Sequence, residues 1–167
     1  MNRATPTLHL LAATILFVGL AAEAQTPAGK ACGLITESEA QSILGAKVNL
    51  KDGSLGTAQT CTAESQAATM MLRFFKRAGD PSGATEKAGI EAVKKMGAQV
   101  DVKTSGGIMC MTTVPPANLA QYGYGTSCTV MSKSPLFAVI EVKSKTQKDM
   151  IPMEKLRTVA EKMATRF

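Results

Sequence analysis

Four cysteines, Cys32, Cys61, Cys110 and Cys128, all stand downstream of an apolar run, LHLLAATILFVGLAA at 8–22. The run follows Arg3 and precedes Ala22-Glu23-Ala24, the basic, apolar and small-x-small order of a secretory leader. Cleavage is expected after Ala24, giving a signal peptide at 1–24 and one disulfide-stabilised domain at 25–167. About 20 apolar residues are needed to span a bilayer comfortably and this run is shorter, so no transmembrane segment is expected after cleavage. An even cysteine count behind such a leader reads as two disulfides formed in an oxidising compartment. A periplasmic or secreted location follows. Cys32 lies too far beyond the apolar run to be a lipid-attachment site.

The leader takes with it His9, the only histidine of the chain. The mature chain therefore has no Ser-His-Asp or Cys-His machinery and no histidine-ligated zinc. No C-x-x-C pair is present for thiol redox chemistry, and no phosphate-cradling G-x-x-x-x-G-K or EF-hand loop occurs. Carboxylates do not pair by spacing: Glu37 and Glu39, and Glu86 and Glu91, fall on different faces of their helices, while Glu154 and Glu161 read as solvated positions. IMCM at 108–111 with Met70-Met71 has the soft donors of a Cu(I) site. Alternation along a strand turns Met109 and Met111 away from Cys110, so packing is the better reading, and no cofactor or metal is expected. A net charge of +6 survives cleavage because Arg3 and Glu23 leave together. Scattered lysines without a recognition motif argue against nucleic acid.

Local patterns outline the elements. Thr36 and Glu39 form a capping box for a helix at Glu37–Leu44 that Gly45 ends. A strand is expected at Lys47–Leu50, with KDGSLG (51–56) as a turn. A hairpin follows at 61–63 and 67–75, turning around Glu64-Ser65-Gln66, its second arm mostly apolar with one charged exit at Arg73. AGDPSG (78–83) breaks the chain before a helix at Ala84–Met96, expected to face inward through Ala88, Ala92, Val93 and Met96. Strands at 99–104 and 108–114 flank SGG, and Pro115-Pro116 opens a loop running to about Gly125. A last hairpin, 126–132 and 136–143, turns at Ser134-Pro135. Asp149 is expected to cap a final helix whose Met153, Leu156, Val159, Ala160 and Met163 fall at helical spacing.

Two stretches recur in the same order. EAQSILGAKV (39–48) matches EAVKKMGAQV (91–100), and CTAESQAATMML (61–72) parallels CTVMSKSPLFAV (128–139). A duplicated helix–strand–hairpin unit plus a C-terminal helix predicts an α+β fold of two layers, an antiparallel sheet with helices on one face. Four cysteines allow three pairings. The repeat favours Cys32–Cys61 and Cys110–Cys128, each partner lying near a Cys-Thr strand start.

CGLITESEAQSILG (32–45), with Cys32, Leu34, Thr36, Glu39, Ala40, Leu44 and Gly45, and then Cys61, resembles the start of a loosely defined group of small exported bacterial proteins of unknown function. Their mature chains open on a Cys-x-Leu-Leu-Thr-x-x-Glu-Ala-like segment. The resemblance implies architecture and export rather than an activity, and the lipid-attachment cysteine of anchored members is missing here.

What remains for function is surface. VKSKTQKD (142–149) places Lys143, Lys145 and Lys148 together, and Tyr122-Gly123-Tyr124-Gly125 puts two tyrosines in the longest loop. Tyrosines of that kind suit protein contacts. The reading is a non-catalytic extracytoplasmic binding or interaction domain, an inhibitory one included, with an unknown protein or an anionic surface component as partner. The alternative is a small-ligand carrier, or a histidine-independent enzyme, with a cavity built by tertiary contacts.

Overall fold

The computed structural model describes residues 31–76, 84–131 and 136–166. The leader, the break at 78–83 and the turn at Ser134-Pro135 lie outside the described residues.

A 3-10 turn at Ala31–Leu34 leads into α1, Glu37–Leu44. Its start is held reciprocally: the Glu39 N–H donates to Thr36 Oγ1 at 3.2 Å, and the Thr36 N–H donates to Glu39 Oε2 at 2.9 Å. Gly45 ends it at φ 67°, a left-handed conformation that a residue without Cβ adopts freely. The strands are β1 Lys51–Leu55, β2 Ala58–Glu64, β3 Ala68–Lys76, β4 Gln99–Ser105, β5 Ile108–Val114, β6 Tyr124–Met131 and β7 Leu136–Ser144. Helix α2, Ala84–Lys95, precedes β4, and α3, Met153–Ala164, follows β7.

All seven strands form one antiparallel sheet in the order β1-β2-β3-β7-β6-β5-β4. A single register row crosses it through Asp52, Cys61, Leu72, Ile140, Cys128, Cys110 and Lys103. Successive side chains on a strand point to opposite faces. Met70, Leu72 and Phe74, with Ile140, Val142, Cys128 and Val130, therefore build one buried face. Ala40, Ile43 and Leu44 of α1 and Met153, Leu156, Val159, Ala160 and Met163 of α3 complete that core. Two disulfides lie on this side, Cys32–Cys61 and Cys110–Cys128. The second joins register partners on β5 and β6 with Cα atoms 4.0 Å apart. Two disulfides fit an oxidising compartment. No helix among the described residues is long and apolar enough to cross a membrane.

The fold is α+β with an antiparallel sheet, as expected, but several local expectations change. Residues 47–50 form no strand; the edge strand is the stretch expected to turn, paired with β2 from Lys51↔Thr62 to Leu55↔Ala58. All five residues of β1 are exposed, so backbone pairing alone makes it a strand and no apolar alternation marks it. Asp149 sits in a 3-10 turn, Gln147–Asp149, and accepts from the Thr146 hydroxyl at 2.6 Å; Pro152, whose missing N–H costs nothing at a helix start, stands at the cap of α3. Helices α1 and α3 share one face, whereas α2 lies across the other. On α2, Ala88, Ala92 and Met96 just beyond it are exposed, and only Val93 of the expected inward set approaches the sheet.

Candidate functional site

The described residues cover the second face of the sheet only in part, and the space beneath α2 is a cleft of about 360 Å3. Glu86, Gly89, Ile90 and Val93 of α2 form its roof at i, i+3, i+4 and i+7 spacing. No atom of the described residues lies within 4 Å of the position a Cβ at Gly89 would take, so the roof stands clear of the floor there. The floor is read from alternate strand positions: Arg73 and Phe75 of β3, Phe137, Val139 and Glu141 of β7, Ser127 and Thr129 of β6, Met109, Met111 and Thr113 of β5, and Val100 of β4. Phe75 and Phe137 are register partners whose stacked rings, 6.3 Å between centroids, close one end. Cavities of this size and apolar character are the ordinary form of small-molecule sites.

The charged groups of the floor, Arg73 and Glu141, stand on β3 and β7. Arg73 Nη2 stands 3.6 Å from Glu141 Oε2, and Lys143 Nζ stands 3.8 Å from Glu141 Oε1, both beyond hydrogen-bond length. Arg73 Nε is buried and has no hydrogen-bond partner among the described residues. A buried guanidinium N–H without an acceptor is costly, and few such groups occur in native structures. Glu86 on the roof has an interaction of its own.

Sequence reasoning missed this site because its parts are far apart in the chain and Met109, Met111 and Val139 read as ordinary core. Two signals were present: Arg73 interrupts an otherwise apolar strand, and Glu141 does the same in the strand that pairs with it. The methionines stand where alternation put them, on the face away from the Cys110–Cys128 disulfide, while Met153 and Met163 are buried and Met96 is 58% exposed.

Of the five surface residues nominated from sequence, three come together. Tyr122, 68% exposed at the end of the 3-10 turn Ala117–Tyr122, lines a shallow groove with Lys143 and Lys145. Gly123 makes this approach possible: at φ 84°, the place of its missing Cβ is 3.2 Å from the Ser144 carbonyl oxygen. Tyr124 is half-buried at the start of β6, opposite Ser144, and Lys148 is exposed in its 3-10 turn; neither lines the groove.

Four helix carboxylates are held in ion pairs. Glu39 pairs with Arg166, Glu91 with Lys94 and Glu161 with Arg157. Glu154 accepts from Lys103 Nζ at 2.9 Å, which lowers its pKa and raises that of Lys103 while tying α3 to β4. Compared with protein-family models, curated proteins and solved structures, the chain matches none of them.

Proposed function

We propose that this chain is a non-catalytic extracytoplasmic binding domain that holds a small, largely apolar molecule in the cleft between α2 and the open face of the sheet. One observation carries the reading: a mostly apolar cleft of about 360 Å3 whose polar end contains a buried Arg73 Nε without a partner among the described residues. Titration of the mature chain with an apolar, environment-sensitive fluorophore should give saturable binding of one probe per chain. Val139→Trp fills the cleft floor and should weaken that binding about tenfold or more, the effect of losing one buried apolar contact surface. Circular dichroism must show the variant folded. Absence of saturable binding by the wild-type chain, or equal binding by the filled variant, overturns the reading.

A second reading rests on the groove beside Tyr122, where an exposed aromatic ring and two lysines would meet an anionic surface or an acidic protein, an inhibitory contact included. Glutamate at Lys143, Lys145 and Lys148 together should abolish co-sedimentation with anionic vesicles, and added salt should weaken it in the wild-type chain. Each substitution should shift stability by no more than about 0.5 kcal/mol. Unchanged sedimentation returns the lysines to the solvated surface.

The same proposal includes cleavage of the leader after Ala24, export to the periplasm or beyond, and kinship with the small exported proteins that the 32–45 segment resembles. It also includes duplication. Strand order supports that part, since β3 and β7 lie side by side, with Cys61 opposite Leu72 and Cys128 opposite Ile140. Helix α2, on the other face from α1, stands outside such a symmetry.

A further inference from the structure

We infer that the molecule held in the cleft is a compact monocarboxylate, with its apolar body under α2 and its carboxylate on Arg73. This rests on the cleft being a ligand site and adds the chemistry of the ligand's head group.

Hydrogen bonding points to the head group. Around Glu141 stand two cations, Arg73 and Lys143, each too distant for a hydrogen bond, at 3.6 and 3.8 Å. Among the described lining residues of the cleft Arg73 is the cation, with Glu141 beside it and Glu86 on the roof, while Lys143 belongs to the neighbouring groove. Arg73 Nε, buried and without an acceptor among the described residues, supplies a donor at a defined place. A guanidinium presents its N–H groups in a planar fork that matches a carboxylate. A dianionic head such as a phosphate monoester would meet the Glu141 carboxylate with two charges, against one for a carboxylate, and Glu86 lies on the roof. A cationic head would meet Arg73. The hydroxyls of Ser127 and Thr129 line the floor on the neighbouring strand and can also donate.

Size and lining point to the body. A volume of about 360 Å3 equals about a dozen waters at their share of liquid volume. This suits a medium-chain or single-ring acid rather than a long-chain lipid. Phe75, Phe137, Val139, Met109, Met111 and Ile90 offer rings and polarizable thioethers to an apolar chain.

The test is calorimetric titration of the mature chain with decanoate, decanol and decylamine, all below their micellar or solubility limits. Decanoate should bind about tenfold or more tightly than either analogue, the effect of one charge-assisted hydrogen bond. Arg73→Met should remove that preference while leaving the three ligands nearly equal. Glu141→Gln removes the competing carboxylate and should tighten decanoate; this variant decides the matter if Arg73→Met does not fold. Decanol or decylamine binding as well as decanoate, with all three blocked by Val139→Trp, overturns the carboxylate inference and leaves the cleft as a ligand site. Decanoate affinity unchanged or weakened by Glu141→Gln also overturns it. Failure of all three ligands to bind overturns both the head-group assignment and the cleft reading.

Discussion

Replacing Cys32 and Cys61 together with alanine is expected to lower stability by about 3–4 kcal/mol. The bond spans a sequence separation of 29 residues, so its loss releases a long loop into the unfolded ensemble. The folded state loses as well. Cys61 is fully buried, and the bond holds the turn at Ala31–Leu34, whose Ala31 and Leu34 belong to the core, against β2. Two hydrogen bonds also hold the turn: the Cys32 N–H donates to Asp52 Oδ1 at 3.3 Å, and Arg166 Nη1 donates to the Leu34 carbonyl at 2.8 Å. The Cys110–Cys128 pair, separated by 18 residues and already aligned by the β5–β6 ladder, should cost somewhat less, about 3 kcal/mol. Urea unfolding of the two double variants measures both. A loss below about 1 kcal/mol for Cys32/Cys61 would mean that packing alone seats the N-terminal turn.

Acid is expected to weaken the fold through one ion pair. Arg166 grips Glu39 with both terminal nitrogens, Nη1 to Oε2 and Nη2 to Oε1, each at 2.7 Å, while Nη1 also donates to the Leu34 carbonyl at 2.8 Å. The Glu39 carboxyl is lowered from 4.5 to about 2, first by the Arg166 hydrogen bonds and then, against the opposing effect of burial, by donors from Thr36. A carboxyl more acidic in the folded chain than in the unfolded one adds stability above its unfolded pKa and loses it as the folded group is protonated. The contribution is therefore complete above pH 4.5, declines as pH falls toward 2, and amounts to about 2–3 kcal/mol. Glu39→Gln keeps a side chain able to close the capping box but loses the ion pair. Melting curves of wild type and variant should differ fully at pH 7 and converge toward pH 2. A constant difference across that range would assign the stabilisation to packing rather than charge.

Much of the fold was legible because much of it is local. Thr36, Glu39 and Gly45 bound α1 by hydrogen bonds within a few residues of one another. SGG turns between β4 and β5 with Gly106 at φ 58° and Gly107 at φ 75°, a geometry glycine reaches without strain. The stripe of α3 is read from spacing, and each residue of it is buried. The hairpins carry their own alternation and polar turns. The cleft had no such local mark: Ile90 and Val93 are an ordinary helix stripe, and Arg73 and Glu141 are ordinary exits from apolar strands.

By itself the sequence determined the α+β class, the positions of α1 and α3, the β2–β3, β4–β5 and β6–β7 hairpins and the availability of four cysteines for two bonds. Caps, turns and periodicities act over a few residues, and they write themselves into neighbouring positions. Only the tertiary structure decided that residues 51–55 would be a strand, since an exposed edge is made by its partner's backbone and not by its own side chains. It alone placed α2 on the second face, because a helix with so few large apolar residues can be assigned a side only by the surface it meets. It alone joined Arg166 to Glu39 across 127 residues and Arg73 to Glu141 across two strands, where charge finds its partner by distance in space and no spacing in the chain records it.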